Sequence, residues 1–162
     1  MLRSIVPEYV FLYGTLLPEL APKKMAGAIS RLKLIAPATV PGCLYDLGSY
    51  PGAVLGCKGR IRGRLFELPD EKDVLKSFDT YEGFMVARPH ASEFVRRKCR
   101  ALLEDGRKVI CWIYEYNRNP LSARAIAGGD YFRFIRGSVT QMGAPSLSLR
   151  FLEGQGGDFP QE

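Results

Sequence analysis

The chain has 162 residues, of which 46% are hydrophobic and 25% are charged, and its formal net charge is +6. These values are typical of one soluble globular domain, and a chain of this length buries enough surface to fold without disulfides or a metal. No apolar run approaches the roughly 20 residues that a membrane helix needs, and the first residues lack the apolar core of a signal peptide. We therefore expect a cytoplasmic protein with no membrane partner.

The first half of the chain predicts three strands and two helical segments. Runs of β-branched and aromatic residues, or alternation of charged and apolar residues, predict the strands at 8–13, 39–46 and 59–68. Residues 23–34 have modest helical character. A second helix starts at Pro69-Asp70 and ends at Gly83, because apolar residues recur on one face and acidic residues occupy the first turn.

The second half predicts more strands and one short helix. The strands are expected at 85–95, 99–104 and 108–116, and Asp105-Gly106 between the last two indicates a hairpin. Residues 120–127 predict a short helix. Residues 137–162 are rich in Gly, Ser, Pro and Gln without periodicity, so they predict a tail. Several short strands with few helices indicate an α+β protein built on a mostly antiparallel sheet or small barrel.

Several kinds of chemistry are excluded by residue usage. His90 is the only histidine, and the four cysteines form no C-x-x-C pair, which argues against a structural zinc site. The chain has no P-loop, no G-x-G-x-x-G and no G-x-S-x-G sequence. Acid–base chemistry must therefore depend on carboxylates, tyrosines or cysteines.

The positive charge is concentrated in two places. One is the cluster at residues 96–100, and the other is Arg60, Arg62 and Arg64, which alternate along one face of a predicted strand. No stacking aromatic residues are interleaved with the cluster, as single-strand nucleic-acid binding requires. A solvated face is favoured over a nucleic-acid site, so we expect no nucleic-acid partner.

Two short segments are candidates for a site. In Tyr13-Gly14-Thr15-Leu16, a glycine at the end of a strand brings peptide N–H groups close to a ligand, although four residues also match an ordinary tight turn. Glu82 follows a short helix and lies among aromatic residues, which raise the pKa of a carboxyl toward the range of a general base. The alternative is a solvated glutamate at a helix end.

Three motifs together resemble the γ-glutamylcyclotransferase-like superfamily, which includes γ-glutamylamine cyclotransferases and AIG2-like proteins. They are F-L-Y-G-T-L at 11–16, P-G-C-L-Y-D-L-G-S-Y-P-G at 41–52 and D-T-Y-E-G at 79–83, with weaker matches at 112–116 and 128–131. The resemblance covers about residues 8–136. It implies a γ-glutamylcyclotransferase-like domain at 1–136, folded as a small, mostly antiparallel mixed β-barrel with peripheral helices. Residues 137–162 follow as a C-terminal tail whose composition allows flexibility.

The resemblance also implies an activity and the residues that perform it. Such an enzyme converts a γ-glutamyl amine or peptide to 5-oxoproline and a free amine, with no metal or organic cofactor. Glu82 is then the catalytic acid/base. The substrate's γ-glutamyl group is bound by four loop residues, Tyr13, Gly14, Thr15 and Leu16. Tyr114, from its place in the last core strand, is either a hydroxyl contact at the cavity or a packing residue.

One departure from the family pattern leaves alternatives open. Many relatives have Y-x-R shortly after the catalytic glutamate, and here we match it to Val86-Ala87-Arg88, without the tyrosine. This difference implies another substrate or weaker activity. The alternatives are removal of a γ-glutamyl protecting group by the same ring closure, and a non-catalytic small-molecule binding protein that retains the pocket. The leaving amine and the oligomeric state have no readable signal in the sequence.

Overall fold

The computed structural model describes residues 5–141, in which six strands and three α-helices follow one another along the chain. The strands are β1 (Tyr9–Leu12), β2 (Lys33–Asp46), β3 (Pro51–Glu67), β4 (Phe94–Leu103), β5 (Lys108–Tyr116) and β6 (Arg124–Ala125). The α-helices are α1 (Ala26–Ser30), α2 (Asp73–Tyr81) and α3 (Tyr131–Gln141), and single 3-10 turns occur at Lys23–Met25, Pro89–Ala91 and Ala127–Gly129.

Five of the strands close into a barrel. Around the ring, β1 pairs with β3, β3 with β2, β2 with β4, β4 with β5, and β5 with β1 again. The β1–β5 pair is parallel and the other four are antiparallel, while β6 extends the sheet by pairing with the end of β2. The predicted small, mostly antiparallel mixed barrel with helices is therefore confirmed.

The long β2–β3 hairpin bends where its pairing shifts between Pro41 and Gly42. A Cβ atom on Gly42 would lie 2.6 Å from the carbonyl oxygen of Val54, so only glycine allows this approach of the two backbones. The bend agrees with the sequence, in which Pro41 and Gly42 interrupt a strand-like run. Because the hairpin curves, β2 can pair with β3 on one side and β4 on the other.

Helix α2 packs its apolar face against the barrel. Val74, Leu75 and Phe78 are buried, as their spacing predicts, and they contact Leu12, Phe94 and other core residues. Full burial of a side chain such as Phe78 stabilises the fold by about 2–3 kcal/mol. Asp79, on the same helix, is also buried. The helix thereby holds the segment that follows it against one end of the barrel.

Two predicted elements are wrong. Residues 85–92 form a turn and a 3-10 helix, and one strand, β4, replaces the first two of the three strands predicted for this region, 85–95 and 99–104. The buried Ser92 hydroxyl explains the turn, because it accepts a hydrogen bond from the Met85 amide (2.8 Å) and donates to the Arg88 carbonyl (3.2 Å). Residues 120–127 contain no α-helix and instead contribute β6, which pairs with Tyr45–Asp46.

The barrel with α1 and α2 belongs to one compact unit that ends at Tyr131, and the chain from Phe132 belongs to a second. In the second unit, α3 continues past residue 136, where the predicted domain ends, to Gln141. The rest of the predicted tail, 142–162, lies outside the described residues. Within residues 5–141, no helix has both the length and the apolar character to span a lipid bilayer.

Candidate functional site

The loop after β1 is held in place by the tyrosine that starts it. The buried Tyr13 hydroxyl donates a hydrogen bond to the carbonyl oxygen of Tyr114 (2.6 Å) and accepts one from the Ala53 amide (3.3 Å). The Leu17 amide closes the turn by donating to the Gly14 carbonyl (2.9 Å). Tyr13 therefore ties the loop to two strands of the barrel, which fixes where the following amides lie.

The amides of Gly14, Thr15 and Leu16 are available for a ligand. Within the described residues, none of the three donates a hydrogen bond to a protein acceptor. Gly14 is required here, because a Cβ atom on it would lie 2.6 Å from Cγ of Pro51. A row of amides without protein partners is suited to bind a carboxylate or an oxyanion.

Glu82 lies at the end of α2. Its amide donates to the Phe78 carbonyl (2.9 Å), and Gly83 then ends the helix with a positive φ of 68°. The next turn is closed by the Phe84 amide, which donates to the Asp79 carbonyl (2.8 Å). Since backbone bonds hold both sides of Glu82, its position follows from the way in which α2 packs on the barrel.

One cavity of about 240 Å³ brings the sequence-predicted residues together. It is lined by Tyr13, Gly14, Thr15, Leu16, Glu82 and Tyr114, together with Phe11, Leu12, Tyr50, Pro51, Tyr81, Glu93 and Phe94. Glu82 and Glu93 are the only charged residues among them. We call this space the reaction cavity.

The carboxyl group of Glu82 binds its proton unusually tightly. Burial removes water that would stabilise the charged form, and the negative charge of Glu93 adds to the effect, so that the pKa of Glu82 rises to about 8. The flanking aromatic residues predict this direction. A carboxyl that titrates near pH 8 can give and take a proton under physiological conditions, as a general acid/base must.

The hydroxyl of Tyr114 is engaged within the protein. It donates to Oδ1 of Asp79 (2.7 Å), and Arg96 Nε lies 2.9 Å from the same oxygen. The Arg96 guanidinium also stacks on Trp112, 4.4 Å from the ring centroid. Tyr114 therefore lines the cavity with its ring while its hydroxyl joins α2 to β4 and β5.

Part of the predicted basic cluster is paired rather than solvated. The Arg96 side chain is 17% exposed and lies against Asp79, and Arg97 Nε lies 2.6 Å from Oε1 of Glu115. These pairs reduce the free positive charge on β4. Arg97, although paired, and Arg100 are exposed.

The position that we matched to the tyrosine of the Y-x-R pattern lies away from the reaction cavity. Val86 is 70% exposed and does not line the reaction cavity. Phe94-Val95-Arg96 has the same aromatic-x-arginine spacing and places Phe94 in the cavity and Arg96 on Asp79. Of these two segments, only Phe94-Val95-Arg96 contributes a residue to the lining of the reaction cavity.

Sequence reasoning missed the opposite wall of the cavity. Tyr50 lies in the second family motif, but no residue type in that motif indicated a contact. Its hydroxyl donates to Oε1 of Glu93 (2.5 Å), and this bond is the main reason that the pKa of Tyr50 rises to about 12. No local sequence pattern points to Glu93, because a single glutamate before a strand is not distinctive.

Metal chemistry has no obvious ligand set in the part of the chain that the structure describes. No group of three or more His, Cys, Asp or Glu side chains lies close enough together there to hold a metal ion.

Similarity to solved structures shows the fold. YkqA from Bacillus subtilis matches with a TM-score of 0.61 at 18% identity, over 86% of this chain and 44% of that one. An AIG2-like protein from Mus musculus matches with a TM-score of 0.59 at 18% identity, over 77% and 88%. A γ-glutamyl cyclotransferase matches with a TM-score of 0.53 at 14% identity, over 74% and 70%. The chain thus spans less than half of YkqA.

Sequence comparison identifies the family. No curated protein matches the chain. The family model described as gamma-glutamyl cyclotransferase, AIG2-like matches residues 10–133, which include the barrel except its first residue, Tyr9, and every residue of the reaction cavity. The chain belongs to the AIG2-like γ-glutamyl cyclotransferase family.

Proposed function

We propose that this protein converts a γ-glutamyl amine or peptide to 5-oxoproline and a free amine. The observation that carries the proposal is the content of the reaction cavity. A carboxyl with a pKa of about 8 shares it with three amides that have no acceptor among the described residues. The first group suits proton transfer, and the second suits an anionic or developing negative oxygen.

The substrate supplies its own nucleophile. In a γ-glutamyl amide, the α-amino nitrogen attacks the γ-carbonyl carbon, a five-membered ring closes, and the bond from that carbon to the leaving nitrogen breaks. Because both groups belong to one molecule, the protein has only to hold the folded conformer in which they meet. The walls of the reaction cavity restrict the extended conformers that do not react.

Glu82 would move the proton. The α-amino group enters as an ammonium, which has no lone pair for attack. The ionised Glu82 carboxylate accepts a proton from it and later returns one to the leaving nitrogen, so that the enzyme ends unchanged. A peptide α-amino group has a pKa of about 8, and the free α-carboxylate of a γ-glutamyl group raises the pKa above that value. The raised pKa of Glu82, about 8, brings the carboxyl close to this range and so lowers the free-energy cost of the transfer.

The loop after β1 would bind the charged end of the substrate. No lysine, arginine or histidine lines the reaction cavity. The amides of Gly14, Thr15 and Leu16 are therefore the donors on which the α-carboxylate, or the oxyanion formed at the γ-carbon, depends. Fixed donors of this kind typically lower the barrier by about 3–4 kcal/mol each.

The test is release of 5-oxoproline from a panel of γ-glutamyl amines and peptides by the wild type and by Glu82→Gln. We expect turnover by the wild type and a loss of about 10³-fold in the variant, because glutamine preserves the shape but cannot accept the proton. Glu104→Gln, in the exposed β4–β5 turn, removes the same charge far from the cavity and serves as the control. Ligand binding without turnover by the wild type would replace the proposal with a non-catalytic binding protein.

A further inference from the structure

Glu93 is a carboxylate without a cationic partner at the edge of the reaction cavity. The residue is half-buried immediately before β4. Oε1 accepts the short hydrogen bond from Tyr50. Among the described residues, no lysine, arginine or histidine forms an ion pair with Glu93, and Oε2 accepts no hydrogen bond. A charge removed from water without a counter-charge is costly, and a cationic ligand would offset that cost.

A second cavity begins where Glu93 stands. This outer cavity has a volume of about 290 Å³, and Tyr50 and Glu93 are the only two residues that it shares with the reaction cavity. Its remaining lining comes from Asp46, Leu47, Tyr116, Asn119, Pro120, Ser122 and Ala123. Like the reaction cavity, it has carboxylates and no basic residue in its lining.

We infer that Glu93 selects substrates whose leaving amine carries a second positive charge and no carboxylate, with the outer cavity receiving that charged end. This inference rests on the proposed function. The γ-glutamyl group would occupy the reaction cavity beside Glu82 and the loop amides, and the leaving chain would pass Glu93. The substrate class is thus a γ-glutamyl derivative of a diamine or polyamine.

The local charges oppose the preference that the net charge of +6 would suggest. At contact distance the nearest groups dominate, because salt screens charges that are more than about 8–10 Å away. A leaving amino acid would bring its own carboxylate toward Glu93 and Asp46, where like charges repel. A leaving diamine would present an ammonium to the same two groups.

Three substrates that differ at one end of the leaving chain separate these effects. They are the γ-glutamyl amides of 1,4-diaminobutane, of n-pentylamine, in which a methyl group replaces the ammonium, and of ornithine linked through its δ-nitrogen, which adds a carboxylate to the diamine. The readout is the ratio of kcat/KM between substrates for a given variant. Any effect of a mutation on Glu82 cancels in that ratio, because all three substrates undergo the same ring closure.

For the wild type we expect the diamine amide to exceed the pentylamine amide by about tenfold or more, as one charged hydrogen bond allows. The ornithine derivative should fall below the diamine amide. In Glu93→Gln the ratio of diamine to pentylamine should approach one, whereas Glu104→Gln should keep the wild-type ratio. Thermal unfolding of Glu93→Gln checks that the variant is folded.

Two results would overturn the inference while leaving the proposed function intact. One is equal turnover of the diamine and pentylamine amides by the wild type. The other is a Glu93→Gln variant that loses activity on all three substrates by the same factor, since that would place Glu93 on the α-ammonium common to them. If no substrate releases 5-oxoproline, the proposed function fails. Calorimetric binding of the diamine amide then tests Glu93: a tenfold loss in Glu93→Gln supports its role, and equal affinity refutes it.

Discussion

The two walls of the reaction cavity are built in different ways. One wall consists of the loop Tyr13–Leu16 and Glu82, each inside a short contiguous motif with a glycine next to the functional group. The other wall consists of Tyr50, Glu93 and Phe94, which come from two distant segments that meet through the Tyr50–Glu93 hydrogen bond and the Tyr50–Phe94 ring contact. Both walls need glycine where the chain is crowded, at Gly14 and at Gly52, but the first wall offers backbone amides to a ligand and the second offers the side-chain carboxylate of Glu93. Substrate selection is therefore expected on the second wall and ring closure on the first.

After the loss of the Glu82 carboxyl itself, the largest effect should come from breaking the backbone of the first wall. Gly14→Ala would place a methyl group 2.6 Å from Cγ of Pro51, so the loop would have to move away from β3. We expect kcat/KM to fall by about 100-fold, because displacement of binding groups by about 1 Å has effects of this size. The matched control is Gly27→Ala in α1, where a Cβ would meet no atom within 4 Å. Equal activity of the two variants would show that the loop geometry does not matter.

The next effect is on stability, because burial of the Glu82 carboxyl lowers the free energy of unfolding at high pH. Its carboxyl has a pKa of 4.5 when exposed and about 8 in the folded protein. Between these values the folded state holds a proton that the unfolded state has released, so wild-type stability falls as the pH rises. Glutamine does not titrate, so the Glu82→Gln variant does not lose stability in this way.

Glu82→Gln should therefore be more stable than the wild type by about 2 kcal/mol at pH 9 and equal to it near pH 4. This figure is below the full linkage value because the residue is only half-buried. Urea unfolding at the two pH values measures the difference. A stability difference that is the same at both pH values would mean that the Glu82 carboxyl is hydrated in the folded state.

A smaller effect should follow from cutting the link behind the cavity. Tyr114→Phe removes the hydroxyl that donates to Asp79 and leaves that buried carboxylate with Arg96 alone. We expect a loss of about 1–2 kcal/mol in the free energy of unfolding, as for other hydrogen bonds to charged groups. Tyr9→Phe in β1, which removes a hydroxyl with no hydrogen bond among the described residues, should cost less. If both variants unfold alike, the Tyr114–Asp79 bond contributes nothing to stability.

The smallest expected effect comes from the electrostatic interaction between Glu82 in the first wall and Glu93 in the second. In the wild type, kcat/KM should rise with pH through the pKa of Glu82, near pH 8, because only the ionised carboxylate accepts the ammonium proton. Removing the negative charge in Glu93→Gln should move this rising limb of the pH profile of kcat/KM to lower pH. Desolvation, the larger cause of the shift, remains and keeps the limb above pH 4.5. A limb that stays in place would show that the two carboxyl groups do not interact.

Local sequence patterns determined much of the fold. The apolar spacing in α2, the helix end at Gly83 and the Asp105-Gly106 turn between β4 and β5 all agree with the structure. Each depends on residues within a few positions, where helix periodicity and glycine's access to positive φ decide the outcome. The prediction failed at 85–92, where Ser92 and Asn117 bind the backbone of a turn, because Asn117 is 25 residues from its partner.

The candidate site also divides into residues that local sequence patterns indicate and residues that only the tertiary structure brings together. The motifs around Gly14 and Glu82 were visible in the sequence because they combine special backbone geometry with a functional group in one short segment. The second wall, the Tyr114–Asp79–Arg96 contacts and the outer cavity appeared only in the tertiary structure. Barrel closure brings residues 50 and 93 within 2.5 Å across 43 positions of chain. A side chain's burial and neighbours decide whether it is a solvated charge or part of a binding site, and these depend on strand pairing across the whole molecule.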